Sequence, residues 1–171
     1  MKKIEVDLPV GRVELILNDV TIVGGINGSG KTLLLEAIVE RARKEGVPCL
    51  YIPALEAYKY NFSDNAVDAC QKNFKYFDKK PPEHYGMGER FLLGMIQKVL
   101  DFSSNNEAGG MIVIDLPETG LHPGWQRKLV DIIRKLSGKK QLAIATHAPS
   151  IIQEGWISAT RDMSEILYEE V

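Results

Sequence analysis

Cysteine is scarce in this chain. Among 171 residues only Cys49 and Cys70 carry thiols. Neither stands in a CxxC or Cys/His spacing, so the pattern supports neither a disulfide framework nor a structural zinc site, and both read as reduced, buried or half-buried thiols. No apolar run approaches the ~20 residues a helix needs to cross a bilayer. The start MKKIEVDLPVG has two lysines but then alternates apolar and polar residues, unlike the continuous apolar stretch of a signal peptide. These absences predict a cytoplasmic protein with no membrane partner. An excess of one charge is missing too: 21 Lys+Arg against 23 Asp+Glu give a formal net charge of -2. No overall basic field argues for nucleic acid, which would need a local patch. There is no internal repeat or low-complexity tract. What is present is the make-up of a globular protein, 44% hydrophobic and 26% charged, at a length that suits one domain.

The chain alternates strand, loop and helix patterns. KIEVDL and RVELIL alternate as half-buried strands, and NDVTIVGG is a short β-branched run ending at two glycines. In TLLLEAIVERARKEG the apolar Leu34, Leu35, Ile38, Val39 and Ala42 share one helical face, with Gly46 as a stop. VPCLYIPA returns to strand. Val67, Cys70, Phe74 and Phe77 have roughly helical spacing and predict an amphipathic helix, KKPPE predicts a loop, and GERFLLGMIQKVL predicts a second helix. MIVID and QLAIATH are buried strands of the parallel-sheet kind. Between them WQRKLVDIIRKL is a helix with Pro123 in its first turn and Gly138 at its close. APSIIQEG starts a short helix, and ATRDMSEILYEEV reads as a final helix or edge strand. Crossover helices must cover both faces of a parallel sheet. The fold class is therefore α/β, a three-layer sandwich with a mainly parallel sheet and an antiparallel N-terminal edge. Residues 1–171 form one unit with a small helical insert at about 55–100.

The strongest chemical signal is GINGSGKT, Gly25 to Thr32, which satisfies G-x-x-x-x-G-K-[ST] with a strand before it and a helix after it. Through Gly25, Asn27, Gly28, Ser29 and Gly30 successive backbone N–H groups can turn inward to cradle phosphate oxygens, and the following helix adds its positive end. Lys31 is placed to reach the β- and γ-phosphates of ATP, and Thr32 to coordinate Mg2+. A glycine-rich turn that holds no nucleotide is the alternative.

MIVIDLPE reads as the second nucleotide motif: four apolar residues bury a strand and leave Asp115 at its C-terminal end, within reach of the magnesium water shell. An aspartate there could instead cap the next turn. The following strand ends in ATHAPS, which puts His147 at the same sheet edge, where it can hydrogen-bond the γ-phosphate or the attacking water.

Taken in order, GINGSGKT, the GMGER turn, IDLPETGLHPGWQ and IATHAPSII resemble ABC-type ATPase domains. They look most like the AAA-type ATPases of the OLD (overcoming lysogenization defect) group, whose strings resemble SxGE, DEPExxLHPxxQ and THSP. The resemblance runs from about residue 10 to 155, with 47–84 poorly matched. It implies an ABC-type head in which two copies sandwich two nucleotides, the glycine loop of one facing a signature turn of the other. Gly86, Gly88 and Glu89 would form that turn, at a helix N-terminus suited to a γ-phosphate. Position 86 is glycine where the group generally has serine, so a hydroxyl contact is missing. The resemblance also places Leu116 where the catalytic glutamate normally stands, and His122 at an interface position. Loss of a water-activating base typically costs roughly 10²- to 10⁴-fold, so slow turnover is expected. Glu118, two residues on, is a candidate base; a separate role behind the site or at a dimer seam is the alternative.

Three functions follow from this reading. The first is an ATPase whose Mg·ATP-dependent homodimerisation controls a protein partner, in DNA metabolism or conflict between phage and host, the setting resting on resemblance alone. The second is an ATP-sensing dimerisation module with little or no hydrolysis. The third, a small nucleotide kinase, leaves GMGER and ATHAPS unexplained. From the short interval between loop and signature, and the end soon after THAPS, a minimal head is expected, without long helical arms or a nuclease domain. QKNFKYFDKK has two readings, a stacking surface for nucleic acid or a helix with phenylalanines inward and lysines outward.

Overall fold

The computed structural model describes residues 3–138, 140–152 and 155–168. Five strands form one parallel sheet in the order β4-β5-β6-β3-β7, where β3 is Val20–Gly24, β4 Cys49–Ile52, β5 Met111–Asp115, β6 Gln141–Ala145 and β7 Thr160–Asp162. The antiparallel hairpin β1 (Lys3–Leu8) and β2 (Gly11–Ile16) is joined by β8 (Leu167–Tyr168) into a small sheet of its own. The fold is the α/β P-loop sandwich that the pattern of elements implies.

Alternation along the central strands builds two cores. Val23, Met111, Val113, Ala143 and Ala145 point to one face, where α1 (Lys31–Lys44) brings Leu34, Leu35 and Ile38 and the small sheet brings Ile4, Val13 and Leu15. Ile22, Ile112, Ile114, Leu142 and Ile144, one residue out of phase, point to the other. That face is covered by α2 (Asp64–Asn73), α3 (Met87–Asn105) and α4 (Pro123–Leu136). Burial on both faces is why MIVID and QLAIA are unbroken apolar runs while β1 and β2 alternate.

The helix expected across Val67 to Phe77 stops at Asn73; Phe74 and Phe77 lie beyond it, both buried. They are held by tertiary packing: Phe74 and Phe77 meet Trp125 at ring-centroid distances of 6.3 and 5.8 Å, and Trp125 Nε1 donates to Lys75 O at 2.8 Å. The lysines and Tyr76 face outward. The tail divides rather than choosing between strand and helix. It gives β7, the one-turn α6 (Met163–Ile166) and β8, while 169–171 lie outside the described residues. The short helix in APSIIQEG is α5 (Pro149–Ile152), and positions 153–154 of that stretch are also outside them.

Candidate functional site

The site lies along the C-terminal ends of three neighbouring strands. Because β6 sits between β5 and β3, Asp115 pairs in register with Ala145, and Ala145 with Val23. The glycine loop after β3, the turn after β5 and the ATHAPS segment after β6 therefore emerge side by side. This is the sheet edge where ligands bind in open α/β folds.

In the loop, Gly30 caps α1 with φ 93°, a conformation that a side chain would strain. Lys31 is buried, and its Nζ donates to Gly25 O and Ile26 O, both at 2.7 Å, and to Ser29 Oγ at 3.4 Å. Burial lowers its pKa, opposed by the charges of Asp115, Glu118 and Asp162. Thr32 Oγ1 donates to Asp115 Oδ2 at 2.7 Å. Asp115 is raised above the ordinary carboxylate range, first by burial, with the Thr32 bond and Lys31 pulling the other way. Asn27, Gly28, Lys31, Thr32, Asp115 and Leu116 line a cleft of about 290 Å³ beside the loop.

Leu116 has φ 47°, the left-handed region that strains a non-glycine residue, while its N–H still bonds Ala145 O at 2.9 Å. Strain of this kind, of order 1–3 kcal/mol, persists where the surroundings over-determine it. Its effect is to throw the chain into a turn closed by Thr119 Oγ1 to Leu116 O (3.0 Å) and Leu121 N to Glu118 O (3.0 Å). That turn carries Glu118 inward. Glu118 is 5% exposed; its Oε1 accepts the His147 backbone N–H at 3.1 Å and lies 3.4 Å from His147 Nδ1. The structure thus brings Glu118 and His147 together. Glu118 Oε2 and Asp115 Oδ1 are buried with no hydrogen-bond partner among the described residues. The orphaned Asp115 Oδ1, in the cleft beside buried Lys31, suits a divalent cation with its water shell, since magnesium is commonly held by one or two protein groups plus substrate phosphates.

Residues 86–89 do not line this cleft. Gly86 caps the 19-residue α3, and its own amide is taken: Glu89 Oε2 accepts Gly86 N at 2.9 Å, while Glu89 Oε1 accepts the Lys80 ammonium at 2.7 Å. The turn that the resemblance offers to a γ-phosphate is thus partly capped by its own glutamate. Gly88 touches the acid-bearing turn, and a Cβ there would lie 2.2 Å from Gly120 O. His122, expected at an interface, caps α4 through Gly124 N to its Nδ1 at 3.1 Å.

Sequence reasoning missed two participants. Asp162, from the tail, lines a second cleft with Gly25, Asn27 and His147 and acts electrostatically on Lys31. Hydrogen bonds from Ser164 hold its carboxyl below the usual range. No local signal links it to a loop so distant in sequence. Gln126 binds the turn that holds Glu118, and its place in the LHPGWQ string was a signal without a stated role.

The fold is that of a P-loop α/β domain, and its solved neighbours are ABC-type ATP-binding domains. Residues 81–153 match the family described as "AAA domain, putative AbiEii toxin, Type IV TA system". The Septu protein PtuA of Bacillus thuringiensis is 28% identical over 75 residues, 40% of this chain but 19% of that protein's length. Among solved structures, an ABC transporter ATP-binding protein from Pyrococcus furiosus aligns over 98% of this chain and 96% of its own, with a TM-score of 0.65 at 15% identity. An ATP-binding cassette solved as a dimer in a post-hydrolysis state with ADP and Pi aligns over 88% of this chain and 87% of its own, with a TM-score of 0.51 at 15% identity. At these identities the solved structures speak to the fold. Among the described residues no helix is long and apolar enough to cross a membrane.

Proposed function

We propose that this chain is an ATP-binding, slowly ATP-hydrolysing head of the ABC type, related to the OLD group, in which Mg·ATP pairs two copies and pairing controls a partner protein. The observation that carries the reading is the 2.7 Å bond between Thr32 and Asp115, which joins the two metal-site groups beside a buried Lys31. We read residues 1–171 as one such head with a helical insert at about 55–100. The loop Gly25–Thr32 would hold the phosphates by its amides, and Lys31 would exchange the carbonyls of Gly25 and Ile26 for phosphate oxygens. Thr32 and Asp115 would hold Mg2+, which when bound supplies charge neutralisation on the phosphates. Glu118 and His147 would orient water, with Glu118 accepting its proton. Gly86, Gly88 and Glu89 would meet the partner copy's nucleotide once Glu89 releases the cap.

Leu116 lines the phosphate cleft where a carboxylate would speed the reaction. That observation favours a second reading, an ATP-sensing dimerisation module with little turnover. The matched family's description, which names a toxin of a type IV system, supports a setting in toxin–antitoxin conflict. A nucleic-acid surface on QKNFKYFDKK has less support, because Phe74 and Phe77 are buried rather than offered for stacking. Size-exclusion chromatography with and without Mg·ATP, with phosphate release followed on the same sample, tests the proposal. A nucleotide-dependent shift with slow release is expected for the first reading, a shift without release for the second. Neither would be seen if the pocket binds no ATP.

A further inference from the structure

Gln126 lies in the first turns of α4, outside the phosphate cleft, yet every polar group of its amide is spent on the segments that carry Glu118 and His147. Its Nε2 donates to Glu118 O at 3.2 Å and to Leu121 O at 2.9 Å, bracketing the acid-bearing turn. Its Oε1 accepts the hydroxyl of Ser150 in α5, three residues after His147. The circuit then closes, because the Glu118 carboxylate accepts the His147 N–H at 3.1 Å. Two carbonyls on one side and a hydroxyl on the other leave a single orientation for the amide. Neither a glutamate, which has no donor, nor an aliphatic residue can supply both ends.

On this basis we infer that Gln126 is a positioning residue: it fixes the separation of the 116–121 turn from the 146–150 segment and so holds Glu118 against His147. The inference rests on the proposed ATPase reading for its kinetic consequence, though not for its structural one. Gly88 also packs on the turn by backbone contact at Gly120, so the turn keeps that contact when Gln126 is released. Gln126 touches none of the groups assigned to phosphate or metal. Its loss should therefore act on turnover and leave nucleotide affinity in place.

The test compares wild type with Gln126→Met and Gln126→Glu, which retain length, and with Glu118→Gln, using three readouts. Amide hydrogen exchange at His147 should quicken about 10-fold or more in both Gln126 variants, as a bond of roughly 1.5 kcal/mol is weakened. The His147 imidazole ¹⁵N shifts should move as the ring leaves the Glu118 carboxylate, which lies 3.4 Å from Nδ1 in the fold. Turnover should fall about 10²-fold at unchanged ATP affinity, and Gln126→Met combined with Glu118→Gln should be no slower than Glu118→Gln alone. Unchanged His147 exchange and imidazole shifts in well-folded Gln126 variants would overturn the inference, as would losses that multiply in the double variant. If Glu118→Gln turns over normally while His147 loosens in Gln126→Met, the catalytic assignment of Glu118 falls and the positioning role stands.

Discussion

Thr32 and Asp115 stand 83 residues apart in the chain and share a 2.7 Å hydrogen bond, hydroxyl to carboxylate. The bond joins the start of α1 to the end of β5 and holds the two groups best suited to a magnesium ion side by side. Asp115 is the uncomfortable member of the pair, since burial disfavours its charge and Oδ1 has no hydrogen-bond partner among the described residues.

That discomfort predicts the behaviour of Asp115→Asn. A carboxyl whose folded pKa is raised binds its proton more tightly in the fold than in the open chain, so once pH rises above the unfolded value the ionised form subtracts from stability. The neutral amide should remove this cost at pH 7. The nucleotide-free variant should melt higher, by about 2–4 °C per kcal/mol relieved, while magnesium-dependent ATP binding is lost. Calorimetry with and without Mg·ATP checks both, and a lower melting point would refute the electrostatic reading.

Lys31→Ala removes the one cation buried in the loop. Charge-assisted hydrogen bonds are worth about 1.5–3 kcal/mol, so ATP affinity should fall at least 10- to 100-fold in titration calorimetry. Retained affinity would place the nucleotide elsewhere.

Leu116→Glu puts a carboxylate on the wall of the cleft beside the glycine loop. Steady-state phosphate release should rise by about 10²-fold, the lower end of what general-base catalysis supplies. If wild type already turns over briskly and Glu118→Gln abolishes it, the impaired-site reading is wrong and Glu118 is a sufficient base.

Gly88→Ala tests the contact between α3 and the acid-bearing turn. The added methyl would lie 2.2 Å from a backbone oxygen, which cannot swing aside as a side chain can. A loss of about 1–3 kcal/mol is expected in urea unfolding; an unchanged midpoint would mean that the two segments separate freely.

Burial pushes the Cys49 thiol up to about 11 and Cys70 to about 12. Both stay protonated at pH 8, so iodoacetamide should label neither at an appreciable rate until denaturant is added. Rapid labelling of Cys70 in the native protein would show local opening around α2.

Most of the architecture was legible because its signals are local. GINGSGKT carries its own turn chemistry, and apolar runs such as MIVID and QLAIA announce strands buried on both faces. The interval from 64 to 77 was read less well: Phe74 and Phe77 keep helical spacing, but Trp125, about fifty residues on, draws them into an irregular segment. The candidate site was half visible. Lys31, Thr32, Asp115 and His147 follow from motif and strand-end position, whereas the inward aim of Glu118 depends on the left-handed Leu116, which no periodicity reports.

By itself the sequence determined the phosphate loop, the buried central strands and the absence of a carboxylate after Asp115, since each is a matter of residue type at fixed spacing. Only the tertiary structure decided that β6 lies between β5 and β3, that Glu89 caps its own turn, and that Glu118, His147 and Gln126 form one bonded set. Strand order and hydrogen-bond partnership are relations between distant segments. They are set by which faces bury against each other and which polar groups must then be satisfied, and neither is written in any local stretch of chain.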